Sequence, residues 1–477
     1  MVPVISGIIY SGAIWLYVET LFFFIGIAIL GSQFYYRSIT VKKAIVWALG
    51  FYIAPILCFI AWTFIGRPVF RRRIPTHEWE DRDTVDGLLE KDPGNRDYRV
   101  MRVLCATGAL HCSADSSAQY LGDGASYYAE LAKDLREAKR SICVECYIIR
   151  RDETSREFID LLCEKASEGV EVRIIFDDYG YDGGSKAYLR KLEKAGVKTA
   201  LFHNMTRYLL SPKKNFRNHR KTFVIDGRIG YQGGFNIGDE YLGKGPLGLW
   251  RDAALRIEGP QAQQLIRMFA DDWEYTTRES LAGSGLFYEP EPCGDTFMQV
   301  LPGDPIDYDR NNIEGEFMAI ARESRESLWI ETPYFAPPKP VLAEICAAAA
   351  SGVDVRVIIP DAADHPHVYW GNRKYASVIM AAGAKVYEYH KGFIHTKSIL
   401  GDGHLCSVGS ANYDMRSIKL NFECNIIVYS DALGEVMREE FLKDQAESTE
   451  YTLESYRSRS TGSKIKTILA MVFNDQL

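Results

Sequence analysis

Two polar constellations recur in this 477-residue chain. Residues 219–236 read HRKTFVIDGRIGYQGGFN, and residues 395–412 read HTKSILGDGHLCSVGSAN. Both hold His, Lys, Asp, Gly, Gly and Asn at offsets 0, 2, 7, 8, 14 and 17, and the copies start 176 residues apart. On a strand, His219 and Lys221 share one face, as do His395 and Lys397. Asp226-Gly227 and Asp402-Gly403 read as type I′ hairpin turns. Asn236 and Asn412 offer amides to an oxyanion. If the copies meet, two imidazoles, two ammonium groups and two amides surround one cavity, a receptor for a phosphate diester. One imidazole can attack phosphorus and form a phosphohistidine. The other can protonate the leaving alkoxide and then deprotonate the incoming hydroxyl. Each histidine needs its second ring nitrogen held. Asp252 in LWRDAALRI and Glu423 in LNFECNIIV follow the respective motifs on apolar strand-like runs and are the natural orienting carboxylates. This chemistry requires no metal and no cofactor. The nearest acidic run, FDDYGYD at 176–182, reads as a polar turn, because its counterpart IPDAADH does not keep the acids. Cys143 and Cys146 fall on opposite faces of an apolar strand and do not form a metal site.

The elements that must position these residues repeat as well. AKRSICVECYII (138–149) matches SRESLWIETPYF (324–335), a helix end followed by a strand that closes on an acid and a tyrosine. ASEGVEVRIIFDD (166–178) matches AASGVDVRVIIPD (349–361), and EKAGVKTALFHN (193–204) matches MAAGAKVYEYHK (380–391). Strands alternating with amphipathic helices across Gly-marked turns predict α/β units and a largely parallel sheet. Internal similarity on this scale predicts two fused copies of one fold about a pseudo-twofold axis, which lets the two motifs face each other. The first copy carries an 11-residue insertion before its motif, with Arg207, Lys213, Lys214 and Arg217. It reads either as a solvated loop or as a basic loop that attracts anionic headgroups.

The first 66 residues differ in kind. Ser6–Leu30 and Ala44–Ile65 are apolar runs long enough for membrane spans. The expected division is a two-span anchor over 1–66, a charged linker over 67–100, and catalytic copies over 101–275 and 276–477. Arg67, Arg71, Arg72 and Arg73 follow the second run, against Arg37, Lys42 and Lys43 between the runs, which favours a cytoplasmic C-terminal part. Ten scattered cysteines suit free thiols in a reducing compartment. Glu19 lies inside the first run, sheltered or functional. The net charge of −7 argues against a general nucleic-acid binder. The tail SKIKTILAMVFNDQL reads as an interfacial helix or a strip packed on the domain.

The doubled pattern H-x-K-x4-D-x6-G-[G/S]-x-N resembles the phospholipase D superfamily over residues 101–450. The surroundings of both copies, behind two apolar segments, are similar to the bacterial cardiolipin synthases. The resemblance implies two phospholipase D-like α/β/α sandwich domains in pseudo-twofold arrangement behind two transmembrane helices. It implies transfer of a phosphatidyl group between two phosphatidylglycerols, giving cardiolipin and glycerol, by a multi-pass enzyme of the bacterial inner membrane. On the matched motif, His219 would be the nucleophile and His395 the general acid/base. Lys221, Lys397, Asn236 and Asn412 would bind phosphate, and Asp226 and Asp402 would complete the catalytic motif by supporting the turn. Ser410, where the first copy has Gly234, would bind substrate. A hydrolytic phospholipase D, with water as acceptor, uses the same residues. A non-catalytic lipid-binding scaffold would usually have lost one of them.

Overall fold

A computed structural model describes residues 2–35, 41–63, 96–110, 112–180, 186–203, 215–305, 312–362 and 364–472. The chain divides into a unit of residues 1–72 with 203–215, and a body of residues 73–202 with 216–477.

In the first unit, Val2–Tyr35 is one helix, and Ile14–Gln33 within it is long and apolar enough to cross a membrane. The second apolar run is not one helix. It forms Val41–Ile53 and Pro55–Ala61, separated at Ala54 (φ −147°, ψ 75°). Pro55 causes the break: it has no N–H to donate and excludes the residue before it from the helical region. Among the described residues, one helix rather than two is long and apolar enough to cross a membrane.

The body is organised around one mixed sheet, 16-stranded among the described residues. In the first half, Ser141–Cys146, Glu171–Asp177 and Lys198–Phe202 pair in parallel. In the second half, Ser327–Glu331, Asp354–Pro360 and Lys385–Tyr389 do the same. Apart from two-residue strands, the remaining ladders are antiparallel, so the sheet is less parallel than the strand–helix alternation predicts. The motif itself is the cause. Thr222–Ile225 turns through Asp226-Gly227 and returns antiparallel as Ile229–Gly233, and Ser398–Gly401 returns as Leu405–Gly409. The halves join edge to edge where Cys112–Leu121 pairs antiparallel with Thr296–Gly303. Registers match between halves: Glu145 pairs with Thr222, and Glu331 with Ser398.

Each half has its own apolar core. Ile142, Val144, Ile174 and Phe223 pack with Leu131, Ile159 and Leu162 in the first. Leu328, Ile330, Val357 and Ile399 pack with Phe317, Ile345 and Ile379 in the second. Removing any of these side chains costs about 2–5 kcal/mol, from lost transfer energy plus the cavity left behind. The helix Ala262–Thr277 covers strands of the first half, and Asp431–Ala446 takes the equivalent place in the second.

Candidate active site

The segments that carry the histidines leave their own half. Arg217–Asn218 pairs in parallel with Asn421–Phe422, and the His219 N–H donates to the Phe422 carbonyl at 2.9 Å. Phe393–Ile394 pairs in parallel with Trp250–Arg251, and the His395 N–H donates to the Arg251 carbonyl at 2.7 Å. Each histidine therefore sits one residue from the carboxylate that follows the other motif. His219 Nδ1 lies 3.0 Å from Glu423 Oε2, and His395 Nδ1 lies 2.5 Å from Asp252 Oδ2. A carboxylate only accepts, so it fixes the proton on Nδ1 and leaves Nε2 with a free lone pair.

The four cationic or titratable groups are almost dry. Lys221 and Lys397 are 1% and 4% exposed, and neither forms an ion pair with a carboxylate among the described residues. Lys221 Nζ donates to its own histidine's carbonyl at 2.6 Å, and Lys397 Nζ donates to the His395 carbonyl. Burial, with the partner lysine, lowers Lys221 to about 7 and Lys397, by burial chiefly, to about 8. Burial lowers His219 to about 4 and His395 to about 3, and each histidine feels both lysines. All four groups thus share one buried electrostatic site, where desolvation outweighs the pull of Glu423 and Asp252 on the charged forms. Tyr147 stands edge-on to His219 at 4.8 Å between centroids, and Trp250 lies 5.0 Å from His395.

Of the remaining motif residues, Ser410 and Asn236 fall into place differently from the sequence expectation. Asp226 and Asp402 do not reach the imidazoles. They occupy the far ends of the hairpins with φ of 52° and 47°. Asp226 accepts from the backbone N–H groups of Lys139, Arg140 and Ser141, at 2.6 Å for Arg140. Asp402 accepts from those of Arg325, Glu326 and Ser327, at 2.8 Å for Glu326. They tie the turn to the chain entering the preceding strand, the turn support expected of them, and stand apart from the reacting groups. Ser410 is fully buried, and its hydroxyl donates to Glu423 Oε2 at 2.6 Å. It touches the carboxylate that holds His219, which corrects its expected contact with substrate. Gly234, its counterpart, leaves no room for any side chain, since a Cβ there would stand 2.1 Å from Asp252 Oδ1. Asn236 spends its amide within the protein, accepting from Ile148 N–H at 3.2 Å and donating to the Tyr241 hydroxyl at 2.9 Å. Asn412 Oδ1 is buried without a partner.

Several residues escaped the sequence reading. Glu145 and Glu331, the repeated strand-end acids, are buried, and Asn218 Nδ2 donates to Glu145 while Ser398 donates to Glu331 at 2.8 Å. Burial, with Asp444 beside it, pushes Glu331 up to about 8. Arg220 pairs with Asp272 and donates to the Glu423 carbonyl at 2.9 Å. Asp177, in the acidic run read as a turn, is 1% exposed and accepts from Asn218 N–H at 2.8 Å, and burial raises it to about 6. The repeated acid was the visible signal, but its role depends on neighbours from distant segments. Of the basic insertion, Arg207, Lys213 and Lys214 lie outside the described residues. Arg217 is buried, with its guanidinium 4.9 Å above the Tyr179 ring, so it is no solvated headgroup attractor.

A duplicated α/β sheet with the motif hairpins beside its seam defines the phospholipase D-like class of folds. The same fold is found in phosphatidylserine synthase from Haemophilus influenzae Rd KW20, with a TM-score of 0.59 over 80% of this chain and 97% of that one, at 17% identity. The family described as "Cardiolipin synthase, PLD-like domain" matches residues 131–273 and 318–445, one match per half. Cardiolipin synthase of Oceanobacillus iheyensis is 33% identical over 446 residues, covering 90% of this chain and 93% of that protein. Cardiolipin synthase 1 of Staphylococcus aureus strain COL is 34% identical over 448 residues, covering 90% and 91%. The chain belongs to the cardiolipin synthase family of phospholipase D-like proteins.

Proposed function

We propose that the protein is a phosphatidyltransferase that makes cardiolipin from two phosphatidylglycerols. The observation that carries this is the crossed pair of Nδ1–carboxylate contacts, which leaves two Nε2 atoms free in one dry, cation-lined site. His219 Nε2 attacks phosphorus as the bond to the glycerol oxygen breaks. His395, protonated on Nε2, gives that proton to the departing alkoxide, and glycerol leaves. His395 then removes a proton from the primary hydroxyl of a second phosphatidylglycerol. That oxygen attacks phosphorus, the N–P bond breaks, and cardiolipin is released with both histidines restored. Lys221 and Lys397 neutralise the non-bridging oxygens, and the side-chain NH2 of Asn412 is the amide donor that joins them, since its Oδ1 can only accept. Asn236 acts at one remove by fixing the loop around Tyr241. The phosphodiester's negative charge opposes the lowered histidine pKa values, so bound substrate favours the protonated general acid.

The reading extends to the membrane. The helix Val2–Tyr35 spans it, and the broken second helix returns the chain to the same face, placing both catalytic halves (101–275 and 276–477) in the cytoplasm. The arginine cluster at 71–73 supports this orientation.

Purified protein incubated with phosphatidylglycerol alone tests the activity. Equimolar cardiolipin and glycerol are expected. Phosphatidic acid as the sole phospholipid product would replace the reading with hydrolysis. His219→Ala and His395→Ala each abolish turnover, and a phosphoenzyme formed by His219→Ala but not by His395→Ala would reverse the two roles.

A further inference from the structure

The last described helix, Thr461–Val472, is arranged inside out. It packs on the helix Pro366–Ala381 through Thr467 and Ala470, which are 5% and 4% exposed. Its large apolar side chains face away: Ile465, Ile468 and Leu469 are 52%, 65% and 56% exposed. Their spacing of i, i+3 and i+4 makes one continuous stripe. A soluble surface gains nothing from such a stripe, which marks an interaction face.

The charge around the stripe indicates the partner. Residues 455–472 hold four basic and no acidic side chains, in a chain of net charge −7. Lys374, Arg457 and Lys464 line a groove of about 450 Å³ with Tyr456 and Ile468, and none of the three is ion-paired with a carboxylate among the described residues. Arg459 frames the groove, stacked 3.7 Å over Tyr456 and donating to Thr467 Oγ1 at 3.0 Å. Lys466 lies 5.5 Å from the Trp370 ring centroid, at the edge of the stripe. Apolar side chains beside uncompensated cations match an anionic bilayer surface, with acyl carbons below and phosphates at the rim. A second copy of the chain fits poorly, because a twofold contact here would set like charge against like. The supporting helix is also tied to the catalytic half. Asn372 accepts from Phe335 N–H at 2.8 Å and donates to the Pro333 carbonyl at 2.8 Å, just beyond Glu331.

We propose that Thr461–Val472 and its basic groove dock the catalytic body on an anionic phospholipid surface, with Ile465, Ile468 and Leu469 in the interface and Lys374, Arg457 and Lys464 holding a headgroup phosphate. This concerns how the body meets lipid, and it rests on the proposed function only in taking the substrate to be a membrane lipid. Full-length protein is placed in nanodiscs of phosphatidylcholine alone, or with phosphatidylglycerol or phosphatidylserine added. Amide hydrogen exchange is then followed in the peptide 461–472. Both anionic lipids slow exchange there by about fivefold or more relative to phosphatidylcholine. Ile468→Asp and Lys464→Glu, both on the exposed surface, remove that protection while retaining turnover of detergent-dispersed phosphatidylglycerol. Equal exchange in all three discs overturns the proposal, as does protection that follows protein concentration in detergent, the sign of a second copy. Protection by phosphatidylglycerol but not phosphatidylserine also overturns it, since that pattern belongs to a substrate site. Protection as expected in a protein without cardiolipin synthesis would leave the docking helix standing and remove the proposed function.

Discussion

Glu423 shows how a single carboxylate is prepared. It is fully buried and receives His219, the Ser410 hydroxyl and Asn421 Nδ2 at 3.1 Å. Burial works against its charge, yet His219, Lys221 and Ser410 outweigh it and hold the carboxyl below its usual range. Asp252 has fewer helpers, with the Ala253 N–H at 2.8 Å and no hydroxyl. Ser410→Gly removes one charge-assisted hydrogen bond, and kcat falls about tenfold, the rate equivalent of about 1.4 kcal/mol. The reverse change, Gly234→Ser, forces atoms into the Asp252 carboxylate and loses more. Stopped assays with phosphatidylglycerol measure both, and a Ser410→Gly enzyme at wild-type kcat would remove Ser410 from the positioning of His219. The lysines set the pH dependence. Their depressed pKa values, about 7 and 8, mean that each carries its charge below that point and loses it above. A profile of kcat/KM, which reports the free enzyme, therefore declines as pH rises through 7 to 8. The nucleophile's imidazole stays neutral down to about pH 4, so the acid limb lies well below the ordinary histidine value.

At the scale of the element, the motif is a hairpin whose two ends do different work. One end presents His and Lys at the seam; the other is anchored by Asp226 or Asp402 to three backbone amides. Asp402→Ala strands those amides and leaves an alanine at φ +47°. The unfolding free energy falls by about 3 kcal/mol, since hydrogen bonds to charged groups contribute about 1.5–3 kcal/mol each and solvent replaces part of the loss. Denaturant titration in detergent reads this change. The rate per folded molecule is retained, whereas a catalytic aspartate would lose turnover at unchanged stability. The N-terminal helices teach the same lesson from composition. The apolar run 44–65 has the length of a span, but Pro55 alone divides it into two helices.

At the scale of the whole molecule, neither half contains a complete site. The two-residue strands Arg217–Asn218 and Phe393–Ile394 cross the seam, and each histidine takes its orienting carboxylate from the other half. This crossing separates the two roles experimentally. Asp252→Asn weakens the proposed acid, His395, and Glu423→Gln weakens the proposed nucleophile, His219. A phosphodiester with an activated phenolate leaving group needs little protonation, so it restores much of the rate to Asp252→Asn and little to Glu423→Gln. Equal recovery of the two variants would assign no distinct acid. Recovery confined to Glu423→Gln would exchange the roles.

The sequence by itself determined the duplication, the strand and turn that carry each motif, and the set of side chains gathered for phosphodiester chemistry. These follow from local rules: a two-residue period puts His and Lys on one face, and Asp-Gly closes a hairpin. It also marked Asp252 and Glu423 in apolar strand-like runs, because isolated acids in such runs are costly without a partner. Only the tertiary structure decided which carboxylate serves which histidine. That pairing spans 204 residues for His219 and Glu423, and 143 for His395 and Asp252. The tertiary structure likewise buried Arg217, left no room beside Asp252 for a side chain at Gly234, and chose the backbone amides that each motif aspartate holds. Contacts of this kind depend on how the two halves of the sheet meet, and no spacing along the chain encodes that meeting.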